Sequence, residues 1–596
     1  MNKNLQVIPV FYACDNNFVK FTMVSLASMM HNASRNFRYE IHILHTDITP
    51  ETQAAVHRMQ NEHFTVIFDD VSEYLRSSKG EKMPIRDYYS KTTYFRLYIA
   101  EMFPEIDKAI YIDSDTVVTG DISHLYAYDI EDWDLGACHE QAMVQVDEYG
   151  TYVEKCLGID RNSYFNAGVL LLNCRRFREK EVLKSFVRLL GEYNFTVTQD
   201  EDYLNVICKD HVRFLPQSWN TEIFGEIADK KEDCNILHYI MVSKPWHYAD
   251  CRWGDVFWKY ADMTEAGEEI RQILENYTDE QRAKDEKSVQ NLLKLAVSET
   301  NRADNYLNRL NEKRDQGRLE ILERIAQFER EGKFDVDVEE DPPTRQLKPG
   351  EVDYLGKKMS SKLLCKVAYS RARRFVYDLI DRGDLIIKEI KGLEHFSKLE
   401  TGAVITCNHF NAFDSFAIQM AYEESGHKEQ NKVFYRIIRE GNYTSFPGFY
   451  GFLMRHYNTL PLSSNRQVMK EFVRATDTLL KEGHFVLIYP EQSMWWNYRK
   501  PKPLKEGGFY FAAKNRVPVL PCFITMRDSD RMGEDGFPIQ EYTIHIGAPI
   551  QPEEGISVGA NTKRMLDENY RVWKEIYERE YGMPLRYTTE DAEPAE

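Results

Sequence analysis

Asp113-Ser114-Asp115 closes the apolar run Ala109-Ile110-Tyr111-Ile112. Two carboxylates at i and i+2, held at a strand end, can share one hard divalent cation and leave positions for phosphate oxygens. His238, with Lys244 six residues on, offers an imidazole to the same ion and an ammonium to a phosphate. In the second half, His409 and Asp414 stand five positions apart across a predicted strand-to-helix turn. That spacing suits a general base oriented by a carboxylate, a substrate hydroxyl taking the place of the serine of a triad. Each fragment also has a plainer explanation. An Asp-Ser-Asp triplet can be a solvated turn, and Asp528-Ser529-Asp530 repeats it without such company. Helix N-termini favour acids, and a buried histidine is usually only hydrogen-bonded.

The elements that must position these residues follow from periodicity. Val7–Cys14 reads as a strand, then an amphipathic helix runs through Met30, and Tyr39–Leu44 and Phe64–Phe68 read as further strands. Strands alternating with helical pattern predict an open α/β sheet with crossover helices, whose ligands gather at the carboxyl ends of the strands. Tyr94-Phe95-Arg96-Leu97 reads as helix, so Arg96 either faces the site or is a surface cation. Phe165-Asn166-Ala167-Gly168-Val169 places an amide and a small turn before an apolar strand, and Gln199-Asp200-Glu201-Asp202 places acids at a helix start.

Composition sets the limits. A chain of 596 residues, 43% hydrophobic and 13% aromatic, exceeds one ordinary core. A formal charge of −19 and the lack of a basic-aromatic module argue against nucleic acid. Ten cysteines without a C-x-x-C pair read as reduced thiols, not as disulfides or a zinc site. The first residues carry no signal-peptide pattern, and no apolar stretch approaches the ~18 residues of a membrane span. The expectation is a cytoplasmic protein, at most peripheral to the inner face of the cell membrane.

Taken in order, the motifs of residues 5 to 260 resemble glycosyltransferase family 8, the bacterial galactosyl- and glucosyltransferases related to glycogenin. The resemblance implies a nucleotide-sugar-binding (GT-A type) mixed-sheet α/β domain that uses Mn²⁺ (or Mg²⁺) and a UDP-hexose and retains anomeric configuration. It implies that Asp113, Asp115 and His238 hold the metal, Lys244 clamps the diphosphate, Asp15 and Asn17 meet the uridine, and Arg96, Asn166 and Asp200 address the donor sugar. One position departs: Glu201 stands where relatives often carry glutamine beside the reacting carbon. A carboxylate there either stabilises an oxocarbenium-like state or is ion-paired and silent.

Residues 266–350 are rich in charge, with Ile270, Ile273, Leu274 and Tyr277 and then Leu319, Leu322 and Ala326 at helical spacing. They read as a charged helical linker: an acceptor-side appendage, a coiled-coil contact or a solvated spacer. Lys357 to Arg374 then holds seven basic residues and no acid, with an apolar side of Leu363, Leu364, Val367 and Phe375. Such a helix either lies on an anionic bilayer or caps the next domain.

Ala403–Cys407 delivers Asn408-His409-Phe410-Asn411-Ala412-Phe413-Asp414, and Phe485–Ile488 delivers Tyr489-Pro490-Glu491. With Lys505–Phe509 and Val517–Pro521, these stretches resemble the glycerolipid (lysophosphatidate-type) acyltransferases over residues 385 to 550. The resemblance implies a second α/β domain in which His409 deprotonates an acceptor hydroxyl, Asp414 fixes the imidazole and Glu491 helps bind the acceptor's polar head. The acyl thioester would come from coenzyme A or acyl carrier protein. Two departures stand out: Pro-Glu-Gln-Ser-Met-Trp replaces the usual Pro-Glu-Gly-Thr-Arg-Ser, and no arginine ends Asn458–Ser463. Ser463, Gln492, Ser493, Met494, Trp495 and Trp496 in those places suggest a sugar-bearing, neutral-headed acceptor.

The reading is a glycosyltransferase domain (1–265), a linker (266–350), an acyltransferase domain (351–580) and an acidic, disordered tail (581–596). Both activities would act on a lipid, glycolipid or cell-envelope acceptor. The alternative is a glycosyltransferase carrying a non-catalytic, lipid-binding acyltransferase-like module.

Overall fold

The structure, a computed structural model, describes residues 5–77, 91–339 and 344–589. The chain divides into two compact units, Met1–Glu312 and Lys313–Glu596. In the first, the strands are β1 (Val7–Ala13), β2 (Arg38–His45), β3 (Phe64–Asp70), β4 (Lys108–Ile112), β5 (Thr116–Val118), β6 (Leu135–Ala137), β7 (Val169–Asn173), β8 (Val212–Phe214), β9 (Thr221–Glu222) and β10 (Ile236–His238). A seven-stranded sheet runs β3-β2-β1-β4-β7-β6-β8, and β5-β10-β9 forms a small second sheet. Pairing is parallel from β3 through β4 and antiparallel on either side of β7, so the sheet is mixed as expected. β1, β4 and β7 are near-continuous apolar runs because packed clusters cover both faces of the sheet.

The second unit holds β11 (Ile386–Lys391), β12 (Ala403–Thr406), β13 (Phe434–Ile438), β14 (Thr459–Pro461), β15 (Phe485–Ile488), β16 (Val519–Met532) and β17 (Pro538–Ile546), in the order β11-β17-β16-β12-β15-β13-β14. All neighbours pair in parallel except β16 and β17. Asp528, in the second Asp-Ser-Asp triplet, lies within β16 and pairs with Arg499 at 2.8 Å.

The stretch read as a linker is shared between the units. Leu292 and Ala296 of the helix Asp279–Thr300 are buried in the first unit, and Ile325 of the helix Gln316–Arg330 is buried in the second. The stretch read as a spacer thus supplies core side chains to both units, while Val297 and Leu322 of the same two helices stay exposed. The tail is corrected in part: Tyr587 is buried and donates to the Pro501 carbonyl, because an aromatic ring with a hydroxyl finds both an apolar wall and an acceptor there. Residues 590–596 lie outside the described residues.

Candidate active sites

β4 ends at Ile112, and the next residue, Asp113, donates its backbone N–H to the Gly168 carbonyl at 2.7 Å, which fixes the turn into β5. β10 pairs antiparallel with β5 and sets His238 opposite Thr116, one residue from Asp115. The result is a cluster in which one ligand atom each from Asp113, Asp115 and His238 lie within 4.8 Å of one another. His238 Nε2 is 3.2 Å from Asp115 Oδ1, while Nδ1 meets Asn220 Oδ1 at 3.0 Å. With Nδ1–H donated to that amide, Nε2 carries the lone pair a metal needs.

The residues present fit a divalent cation. Two carboxylates and one imidazole form a mixed oxygen–nitrogen set, and Gly168 leaves room beside it: a Cβ there would press on His238 Cε1 and come within 2.8 Å of Asp113 Oδ2. Both groups are held by hydrogen bonds and cannot easily yield. Gly168→Ala is therefore expected to weaken Mn²⁺ affinity ~10–100-fold, the scale of outer-shell damage, with little change in melting temperature. Calorimetric titration of Mn²⁺ into both proteins checks this; equal affinities would count against the cluster as a metal site.

Lys244 Nζ lies 2.5 Å from Asp115 Oδ2 and also donates to the Tyr239 carbonyl. Burial opposes ionisation of Asp115, but Lys244 and then His238 outweigh it and hold the carboxyl well below the usual range. Arg96 is not a surface cation. It is 4% exposed on the 3-10 helix Lys91–Tyr98, 3.1 Å from Asp113 and 3.2 Å from Asp200. Burial, opposed by Arg96, pushes the Asp200 carboxyl up to about 6. Glu201 Oε2 accepts the Ala167 N–H at 2.9 Å and forms no ion pair among the described residues; burial raises its pKa well above the ordinary value. Asn166 Oδ1 accepts from Gly168 N and from Asn220 Nδ2, each at 2.8 Å, and its amide donates to Glu140.

A cavity of about 350 Å³ is lined by Arg96, Asp113, Asp115, Asn166, Asp200, Glu201, His238 and Lys244. Asp15 and Asn17 are not among its lining residues. Asp15 instead accepts from the backbone N–H of Asn17 and Phe18 at 2.9 and 3.0 Å, as a turn-forming aspartate does. Three residues went unnoticed in the sequence: Asn220, Glu140 and Tyr111, whose hydroxyl donates to Asp113 at 2.7 Å.

In the second unit, parallel neighbours β12 and β15 bring His409 and Glu491 together at their carboxyl ends. His409 Nδ1 is 2.7 Å from Asp414 Oδ2, and the imidazole stacks on Tyr489 at 4.1 Å. The Tyr489 hydroxyl, kept protonated by burial, donates to Asp414 Oδ1 at 2.6 Å. With Nδ1–H directed to the carboxylate, Nε2 is the ring atom that can take a proton. Glu491 is corrected from a head-group ligand to a loop clamp. It is 2% exposed and accepts from His409 N at 3.0 Å and Lys502 N at 2.8 Å. The Lys502 ammonium is 3.6 Å away.

The hydroxyls and aromatic rings assigned to a sugar-bearing acceptor are also corrected. Ser493 Oγ donates to the Phe334 carbonyl at 2.6 Å, and Ser463 Oγ to Glu440 at 2.7 Å. Trp495 is fully buried and donates to the Val336 carbonyl, and Trp496 packs on Phe537. Ser493 and Trp495 fasten the turn after Glu491 to residues 334–338 of the same unit. Asp337 of that segment forms a two-pronged ion pair with Arg439, which follows β13. Arg499 is engaged by Asp528.

Residues 9–250 match the glycosyl transferase family 8 model, and residues 388–525 match the acyltransferase model. The chain thus carries a segment matching glycosyl transferase family 8 and a segment matching the acyltransferases, and this domain content indicates a glycosyl- and acyltransferase. A Haemophilus influenzae protein described as a glycosyltransferase is 28% identical over 271 residues, 43% of this chain and 79% of that one. A lipopolysaccharide 1,2-glucosyltransferase of Escherichia coli is 27% identical over 40% of this chain and 73% of its own length. Glycosyltransferase GlyF of Streptococcus pneumoniae is 26% identical over 43% of this chain and 61% of that one. Among solved structures, the galactosyltransferase LgtC with donor and acceptor sugar analogs is 24% identical, covering 43% of this chain and 96% of that one at a TM-score of 0.37.

Proposed function

We propose that the chain is a bifunctional transferase. The first unit moves a hexose from a UDP-sugar, with retention, to a lipid or cell-envelope acceptor; the second moves an acyl group from a thioester to a hydroxyl. The observation that carries the proposal is that both constellations are assembled in one chain: the Asp113–Asp115–His238 cluster beside Lys244, and the His409–Asp414 hydrogen bond at 2.7 Å.

In the first unit, Asp113, Asp115 and His238 would hold Mn²⁺, which when bound neutralises charge developing on the departing diphosphate. Lys244 adds a second positive charge beside the same oxygens. Arg96 keeps Asp113 and Asp200 in place, and Glu201 presents its carboxyl at the cavity wall, the position for the sugar's reacting carbon. In the second unit, His409 Nε2 takes the proton from the acceptor hydroxyl as its oxygen attacks the thioester carbonyl. The thiolate then leaves and takes up that proton. Asp414 fixes the tautomer, and Tyr489 fixes Asp414.

The second reading, a non-catalytic lipid-binding module, is favoured by one observation: Asp337 occupies the guanidinium of Arg439 and the serines of both altered motifs are used internally. Thiol release from acyl-CoA or acyl carrier protein separates the readings, since a non-catalytic module releases none.

The lipid acceptor calls for a membrane-facing surface. No helix among the described residues is long and apolar enough to cross a bilayer. The helix Met359–Arg382 buries Ala368, Ala372, Val376 and Leu379 but exposes Met359 (79%) and Leu363 (65%) amid its lysines. Phe449 and Tyr450 are exposed on the adjoining helix Gly448–His456 and meet Phe375 at 5.2 and 5.9 Å. Reversing Lys358, Lys362 and Lys366 is expected to weaken sedimentation with phosphatidylserine vesicles, since each basic residue contributes about 1 kcal/mol near an anionic leaflet. The loss should be largest at low salt; binding that ignores both charge and salt would contradict it.

A further inference from the structure

The helix Asp279–Thr300 follows the segment that matches the glycosyltransferase family, yet it walls the sugar-transfer cavity. Its start is fixed by a capping box between Thr278 and Gln281. Nearly two turns in, the Asp285 carboxylate accepts from the Tyr248 hydroxyl at 2.9 Å and the Tyr277 hydroxyl at 2.6 Å. Tyr277 in turn stacks on His247 at 4.0 Å, so this end of the helix is tied to the loop that carries Lys244. Seven residues further, about 10 Å along the axis at 1.5 Å per residue, Leu292 is 5% exposed and packs in one apolar cluster with Met143 and Tyr149. Asp285, Leu292, Met143 and Tyr149 all line the cavity that the metal cluster and Lys244 line. The helix therefore runs beside the cavity from its phosphate-binding loop to an apolar wall. A solvated spacer would not bury Leu292 and Ala296, and neither side chain is left for a coiled-coil seam.

We infer that this helix selects the glycosyl acceptor. Leu292, with Met143 and Tyr149, gives the cavity an apolar wall that neither a UDP diphosphate nor a bare hexose can satisfy. The acceptor class that fits is an amphipathic glycoside: a saccharide hydroxyl presented to the donor carbon, and an apolar aglycone laid against Leu292. Each methylene so buried strengthens binding about fourfold, from ~0.8 kcal/mol per buried methylene. The inference rests on the glycosyltransferase reading above.

The test uses the full chain with Mn²⁺ and whichever of UDP-glucose or UDP-galactose it hydrolyses. Octyl and methyl β-glycosides of glucose and galactose, below micelle-forming concentration, serve as acceptors. The octyl glycoside should have a KM at least ~10-fold below that of the methyl glycoside, the effect of burying two or three methylenes. Leu292→Ser should bring the ratio of the two KM values toward one, and Leu292→Met should restore it. Val297→Ser, on an exposed position of the same helix, should leave the ratio as in the wild type. A merely structural loss would lower activity with both acceptors and leave their ratio unmoved. Equal KM values in the wild type, or no response to the octyl glycoside, overturn the inference alone. Failure to release UDP from any donor overturns the glycosyltransferase reading with it.

Discussion

Asp115→Asn is expected to lower UDP-sugar turnover by ~10² or more, the scale of losing a principal electrostatic stabiliser of a developing charge. The argument rests on what this carboxylate touches. Oδ1 faces His238 Nε2 at 3.2 Å and Oδ2 faces Lys244 Nζ at 2.5 Å, so Asp115 joins the proposed metal cluster to Lys244, the proposed phosphate clamp. The asparagine keeps the size but loses the charge. A divalent ion then loses one of two anionic ligands, and Lys244 loses the partner that positions its ammonium. Asp113 is a less clean probe, because it also accepts from Arg96 and Tyr111 and its loss would disturb a buried cation. Excess chelator should reproduce the effect in the wild type. Full activity in chelator, or a variant within a factor of two of wild type, would sink the metal assignment.

His409→Ala is expected to reduce acyl transfer ~10²–10⁴-fold, the usual worth of a positioned general base, and to leave UDP-sugar hydrolysis near wild type. The separation follows from the fold. His409 follows β12 in one compact unit and the Asp113–Asp115–His238 cluster sits in the other, each within its own sheet. The side chain is 24% exposed and its ring is hydrogen-bonded to Asp414, so its removal leaves no deeply buried cavity. Loss of stability should accordingly be small, and a thermal melt checks it. A folded His409→Ala protein that had lost both activities would refute the assignment of separate roles.

How much was legible in the sequence depended on whether a residue's partners lie nearby along the chain. Asp113, Asp115 and the apolar strand before them are contiguous; the alternation of strands and helices pointed to an open α/β sheet in the first half, while its mixed character and the second α/β domain came from the resemblances. His409 and Asp414 are five residues apart across one turn, a spacing that suggested a pair and gained weight from the acyltransferase-like stretches around it. Asn220 was not found, because its signal is a strand register: β9 beside β10 puts it against His238, eighteen residues away. Glu140 and Lys502 were missed because their partners, Asn166 and Glu491, lie 26 and 11 residues away along the chain. Trp495 and Trp496 misled in the opposite direction: beside a catalytic motif, aromatic rings suggested a ligand platform. The sequence could not say that residues 334–338 would bury Trp495 and hold Ser493. Nor could it reveal that Arg439, just after β13, would be paired with Asp337 of that segment.

The central claim is that one chain carries two separable transferase sites. The most direct measurement follows UDP release from a UDP-hexose and thiol release from an acyl thioester in three proteins: wild type, Asp115→Asn and His409→Ala, with Mn²⁺ present. The account predicts both releases in the wild type, loss of UDP release alone in Asp115→Asn and loss of thiol release alone in His409→Ala. A folded variant that loses both, or a wild type that consumes neither donor, would contradict it.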